Sequence, residues 1–180
     1  MSEVLPPAVL NDQAQNAYRE GQFSLAADLF EQAARALDAQ GQALDAAEMW
    51  NNVSVASLQA GDAARALRSA EGSDAVFAAQ QDFRRQGLAL GNQAAALEAL
   101  GQTDEALSRY QRSSDALKQA GQPELRAVVL KSLSALQMRT GKRMEAMASM
   151  QIALENQKHL SLRERLLKSL LKVPFRMLKS

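Results

Sequence analysis

The chain has 180 residues, 21 basic against 20 acidic, a net charge of +1 and no cysteine. That excludes disulfides and thiolate metal sites, and the balanced charge argues against a protein built to coat nucleic acid. Hydrophobic residues make up 47% and aromatics only 4%, with alanine at about one residue in five where ordinary usage is far lower; the composition favours one domain of helices packed closely on helices.

Residues 1–6 hold Glu3, the first proline of the Pro6-Pro7 pair and no apolar run, so they read as a disordered N-terminus and not as a secretory signal. No stretch approaches the roughly 20 apolar residues that span a bilayer. The expectation is a soluble, cytoplasmic protein. Pro7 suits a first helical position, where no backbone donor is needed. From there the chain is punctuated by glycine. Gly21, Gly61, Gly101 and Gly141 stand 40 residues apart, with Gly41 and Gly121 at the half-period. Only the stop near Gln81 lacks its glycine. Glycine takes the left-handed conformation that ends a helix at no steric cost. The spacing therefore predicts four antiparallel hairpins over 7–41, 42–81, 82–121 and 122–159, built from helices of about 17 residues and 25 Å.

Within the hairpins, small and apolar residues recur at helical steps. Trp50, Val53, Ser54 and Ser57 are matched by Leu90, Gln93, Ala94 and Leu97, then by Leu130, Leu133, Ser134 and Gln137. Leu10, Trp50, Leu90 and Leu130 form one predicted core column. Ala26, Ala66, Ala106 and Ala146 form another, identical four times, which implies a helix crossing with no room for a larger side chain. Phe30, Ala70, Tyr110 and Met150 are the variable large position beside it. The second hairpin departs most: Ala70 replaces the aromatic, Gly72 falls inside the expected second helix, and Gln81 replaces the stop glycine. That joint is either the loosest point or a harmless variation.

Residues 161–173 read as a basic amphipathic helix, with Pro174 expected to end it and 174–180 left as a tail. From Ser161 to Ser180 there are six cations and one carboxylate, Glu164, and Leu162, Leu166, Leu167, Leu170 and Leu171 make an apolar stripe. Three roles fit: a cap for the last hairpin, a helix lying on an anionic membrane, or a surface for another protein or a second copy.

No catalytic constellation is present. The lone histidine, His159, has no second histidine at metal-ligand spacing. Gly87 and Gly91 lack the strand and the Lys-Ser/Thr pair of a phosphate loop and read as close helix packing. Arg84-Arg85 has no neighbouring stacking aromatics, so nucleic acid is not an expected partner. Neither an enzyme nor a cofactor is expected.

The run Gly101-Gln-Thr-Asp-Glu-Ala106-Leu-Ser-Arg-Tyr110 resembles the middle of a tetratricopeptide repeat, as do Gly21 to Phe30 and Gly141 to Met150. Trp50, eleven residues before Gly61, sits where that family favours tryptophan. The resemblance covers about residues 7–159. Its usual repeat is 34 residues, so a 40-residue repeat is similar to the lengthened subclass of kinesin light chain, SNAP-type and Pins-type proteins. It implies a right-handed α-solenoid of four antiparallel hairpins, with a C-terminal capping helix and no enzymatic role. It also implies that the first helix of each hairpin lines a concave, peptide-binding face of a scaffold or adaptor. One column there is Asp12, Asn52, Asn92 and Ser132; Asn52 and Asn92 match the subclass's peptide-binding asparagine ladder. The column reads equally as a set of bridges between adjacent helices. Asn11, Asn51, Gly91 and Lys131, then Tyr18, Leu58, Glu98 and Met138, are neighbouring columns that would select partner side chains. The family's carboxylate clamp does not fit, because Leu88 and Asn92, or Val128 and Ser132, stand where its Lys and Arg belong.

Overall fold

The computed structural model describes residues 5–177, and all regular structure among them is helical. The helices are α1 (Pro7–Arg19), α2 (Phe23–Ala39), α3 (Ala43–Gln59), α4 (Ala63–Ala70), α5 (Ser73–Ala79), α6 (Phe83–Ala99), α7 (Thr103–Gln119), α8 (Pro123–Arg139), α9 (Arg143–Asn156) and α10 (Leu162–Met177). They form four antiparallel hairpins in an α-solenoid, with α1, α3, α6 and α8 as first helices. Of the expected disordered N-terminus, residues 1–4 lie outside the described residues, and Pro6 leads into α1 with Pro7 at its first turn.

The punctuation is as the sequence predicts. Gly21, Gly41, Gly61, Gly101, Gly121 and Gly141 all take positive φ, between 64° and 84°. At the fourth stop Gln81 takes φ 57°, the one non-glycine residue with positive φ among those described. A side chain there costs roughly 1–2 kcal/mol in the folded state, partly offset by the freedom glycine has when unfolded. Gln81→Gly is therefore expected to stabilise the chain by about 0.5–1 kcal/mol, read as a raised urea midpoint at unchanged slope.

Ala26, Ala66, Ala106 and Ala146 are all fully buried, as close crossings require. Leu10, Leu90 and Leu130 of the first core column are buried, but Trp50 is only half-buried and does not fill the equivalent place. Its indole N–H needs a partner and donates to Asp38 Oδ2 at 2.8 Å, while the Arg35 guanidinium lies 5.8 Å from the ring centroid. Those contacts hold the ring against α2 at the edge of the α2–α3 interface.

The second hairpin differs from expectation. Its second helix is not one helix with an embedded glycine but two. Glu71 is extended (φ −62°, ψ 130°) and Gly72 is left-handed, so α4 stops at Ala70 and α5 restarts at Ser73. The joint is nonetheless held by specific contacts. Gln93 Nε2 of α6 donates to the Ala70 carbonyl at 2.8 Å and to Asp74 Oδ1 at 2.9 Å. Asp74 also pairs with Arg112 at 3.3 Å. Phe77 of α5 is buried among Ala47 and Ala89, with Arg85 over its ring at 5.2 Å.

At the C-terminus, α9 ends three positions before its counterpart α7 would, and Gln157 is extended. Ser161 and Glu164 then form a reciprocal capping box: Ser161 N–H and Oγ reach Glu164 Oε2 at 2.9 and 2.8 Å, and Glu164 N–H reaches Ser161 Oγ at 3.3 Å. The expected stop at Pro174 does not occur. Proline accepts helical φ and forfeits the bond its missing N–H would make, at some cost in helix stability, and α10 runs on to Met177. Of the expected tail, 174–177 is thus helical and 178–180 lies outside the described residues.

The body holds α10 through charge. Glu164 Oε1 receives Lys131 Nζ of α8 at 2.7 Å, and Lys168 Nζ donates to the Leu154 carbonyl at 3.1 Å. The Lys131 ammonium, then the two Ser161 donors, hold the Glu164 carboxyl down to about 2. A depressed carboxylate contributes above its unfolded value and loses that contribution as pH falls through the folded one. Amide protection in α10 is expected to fall between pH ~4.5 and ~2. Glu164→Gln is expected to lower that protection already at neutral pH and to flatten its pH dependence.

Candidate functional site

The first helices present a groove between α6 and α8. Its larger part is an open cleft of about 720 Å³ lined by residues including Leu58, Ala95, Glu98, Tyr110, Ser132 and Arg139. A smaller, more apolar part of about 180 Å³ continues past Leu88, Gly91, Asn92, Leu125 and Val128, sharing Ala95, Tyr110 and Ser132. Ala95 and Ala135, both small, line the groove and leave it open. Val128 stands 62% exposed on its wall.

The polar floor of the cleft is a three-residue arrangement. Tyr110 belongs to α7 and its ring is buried, yet its hydroxyl emerges into the cleft and donates to Glu98 Oε2 at 2.8 Å. Arg139 of α8 pairs with the other Glu98 oxygen. Burial, then the hydrogen bond and charge of Glu98, push the Tyr110 phenol up. It stays protonated and remains a donor across the ordinary pH range. The site thus offers a carboxylate, a guanidinium and a phenol beside an apolar shelf, which suits recognition of a mixed polar and apolar surface.

The expected site residues separate into groups. Asn92, Ser132, Glu98 and Leu58 come together in the groove. Asn51 and Asn92 bond to each other, Asn92 Nδ2 donating to Asn51 Oδ1 at 2.9 Å, so this pair of columns does bridge α3 and α6. Asn52 is half-buried on α3 outside the groove. Lys131 is engaged by α10 through Glu164. Met138 is exposed on α8, beyond the cleft lining. In the first hairpin, Asp12 is exposed. Asn11 accepts from Gln15 at 3.3 Å and lines a separate cleft with Asp45, Glu48 and Met49. Tyr18 packs edge-on against Phe23, with ring centroids 5.2 Å apart. The 40-residue columns gave Tyr110 a core place only, though its hydroxyl reaches across from a second helix, and they missed Arg139, which stands one position past the Met138 column. A carboxylate and an arginine 41 residues apart, one period plus one, are the signal that could have found the pair.

Among the described residues no His, Cys, Asp and Glu cluster could hold a metal ion, and no helix is long and apolar enough to cross a membrane. No family model matches the chain, and no curated protein does. Solved structures do. Two crystal structures of the nearly identical TPR-like repeats of a putative kinesin light chain from Podosopora anserina, one of them a single-substitution variant, match 96% of this chain and 96% of theirs. Both have TM-score 0.54, at 15% and 16% identity. The fold is that of TPR-like repeat proteins. The crystal structure of MamA matches 90% of this chain and 99% of its own, with TM-score 0.49 and 16% identity. Buried apolar clusters join each hairpin to the next.

Proposed function

We propose that this TPR-like chain is a non-enzymatic protein-interaction scaffold that takes a peptide segment of a partner in the α6–α8 groove. The observation that carries the reading is the continuity of the two clefts over Ala95, Tyr110 and Ser132, with an apolar shelf at one end and the Glu98–Arg139 pair at the other. A peptide with an apolar side chain for Leu88 and Val128, and polar groups for Glu98 and Arg139, fits that order. We also assign the repeat to the lengthened TPR subclass, on the 40-residue spacing of its glycine stops.

Val128→Glu places a charge on the exposed wall without touching the core. Proteins captured from a lysate by the wild type are expected to be lost by this variant and kept by Gln111→Glu, which changes an exposed residue of α7. Equal capture by both variants, with helicity unchanged, would overturn the groove reading.

A further inference from the structure

The C-terminal helix is mounted with Leu162 and Leu166 of its apolar stripe outward. It docks through Glu164 on Lys131, Lys168 on the Leu154 carbonyl, and buried Leu171. At 100° per residue these three lie on one side of α10, and Leu162 and Leu166 lie on the opposite side. Leu162 is 83% and Leu166 64% exposed, and Leu167, between the two sides, is 37% exposed. In sequence the apolar spacing continues at 170, 173 and 177, the same helical period. A helix recruited only to seal the solenoid does the reverse and buries its leucines.

Charge follows the same division. Residues 161–180 carry six cations against one carboxylate, a net +5, which leaves residues 1–160 with a net −4. Arg163 and Arg165 are exposed next to the leucines. The last hairpin turns less polar as well. On the outer face of the second helices, Ser24, Asp28 and Gln32 in the first hairpin and Asp104, Ser108 and Arg112 in the third are replaced by Met144, Ala148 and Ile152 in the fourth. Met144 is 51% exposed, and Ile152 is exposed beside it.

We propose that α10 is an interfacial helix that seats the C-terminal end of the solenoid on an anionic membrane. Exposed leucines enter the boundary between headgroups and acyl chains, and the flanking arginines meet the lipid phosphates and carboxylates. The acidic body is repelled by the same surface, so only this end approaches it and the α6–α8 groove stays in water. Pairing of α10 with α10 of a second copy is disfavoured, since it would bring two strongly basic helices together.

The test is co-sedimentation of the full chain with phosphatidylcholine vesicles, with and without phosphatidylserine, at low and high salt. The chain is expected to bind the serine-containing vesicles, to ignore phosphatidylcholine alone, and to weaken with salt. Leu162→Ser with Leu166→Ser is expected to bind about tenfold more weakly, with unchanged helicity, because both side chains already face solvent. Arg163→Gln with Arg165→Gln is expected to lose a similar factor. No binding to the serine-containing vesicles, or equal binding by the leucine variant, overturns the proposal. So does a wild-type dimer that the leucine variant converts to a monomer while neither binds vesicles, because the stripe would then serve a second copy.

Discussion

Replacing Gln93 by leucine is expected to cost about 2–4 kcal/mol and to open the second hairpin first. Gln93 is 3% exposed, and its amide bonds both sides of the break between α4 and α5. Ala70 is the last residue of α4, so its carbonyl belongs to a helical turn whose oxygens lack intrahelical donors. The extended Glu71 and left-handed Gly72 carry the chain away before the ladder can resume. Leucine fills much the same volume but offers no donor. It leaves a buried carbonyl without a partner and removes one of the bonds to Asp74, which keeps Arg112. The desolvation penalty of an orphaned buried acceptor, about 1–3 kcal/mol, is the main part of the effect. Urea unfolding should show a lowered midpoint at unchanged slope, and hydrogen exchange should show α4 and α5 losing protection before α6 and α7. A loss below about 0.5 kcal/mol would mean that the joint does not depend on this side chain.

That joint also shows where sequence reasoning stops. Six glycine stops and the fully buried alanine column were readable because each follows from one local rule, the left-handed stop or the close crossing. Gly72 obeys the same local rule as the stops, but one glycine inside a helical pattern costs only about 1 kcal/mol. Whether the helix breaks there depends on a partner 23 residues away supplying a donor to Ala70. Pro174 is the opposite case, a strong local breaker that α10 passes through. Trp50 was placed in the core by its column, and its own N–H drew it to Asp38 instead.

The candidate groove was half legible for a related reason. Columns at the 40-residue period find side chains that share a face of equivalent helices, and Asn92, Ser132 and Glu98 from those columns line the two joined clefts. They do not show that a core residue of a second helix reaches through to the groove, as Tyr110 does, and they cannot find one displaced by a residue from its column, as Arg139 is. Nor does periodicity show that Asn51 and Asn92 would spend part of their bonding capacity on each other. The stripe on α10 was legible as a stripe. The outward mounting of Leu162 and Leu166 was not, because that follows from which residues of the body meet Glu164 and Lys168.

Gly87→Ala is expected to destabilise the chain by about 1–2 kcal/mol, although alanine is the better helix former by about 1 kcal/mol. A Cβ at position 87 would lie 2.6 Å from Leu117 Cγ, 2.9 Å from Cδ2 and 3.3 Å from the Leu117 backbone nitrogen. Leu117 is fully buried, so its side chain has nowhere to turn. The Ser113 hydroxyl donates to the Gly87 carbonyl at 2.6 Å and holds α7 at that separation. The third hairpin must therefore open along its whole length or strain a rotamer, and either costs more than the gain in propensity. A double-mutant cycle separates the two terms. Leu117→Ala alone leaves a cavity and is expected to lose about 2–5 kcal/mol. In that background Gly87→Ala fills space instead of contesting it, and should be neutral or stabilising. The coupling between the two positions, about 1–3 kcal/mol, then measures the steric contact itself. A cycle that closes to zero would show that α6 and α7 have slack at this crossing and that Gly87 has no packing role.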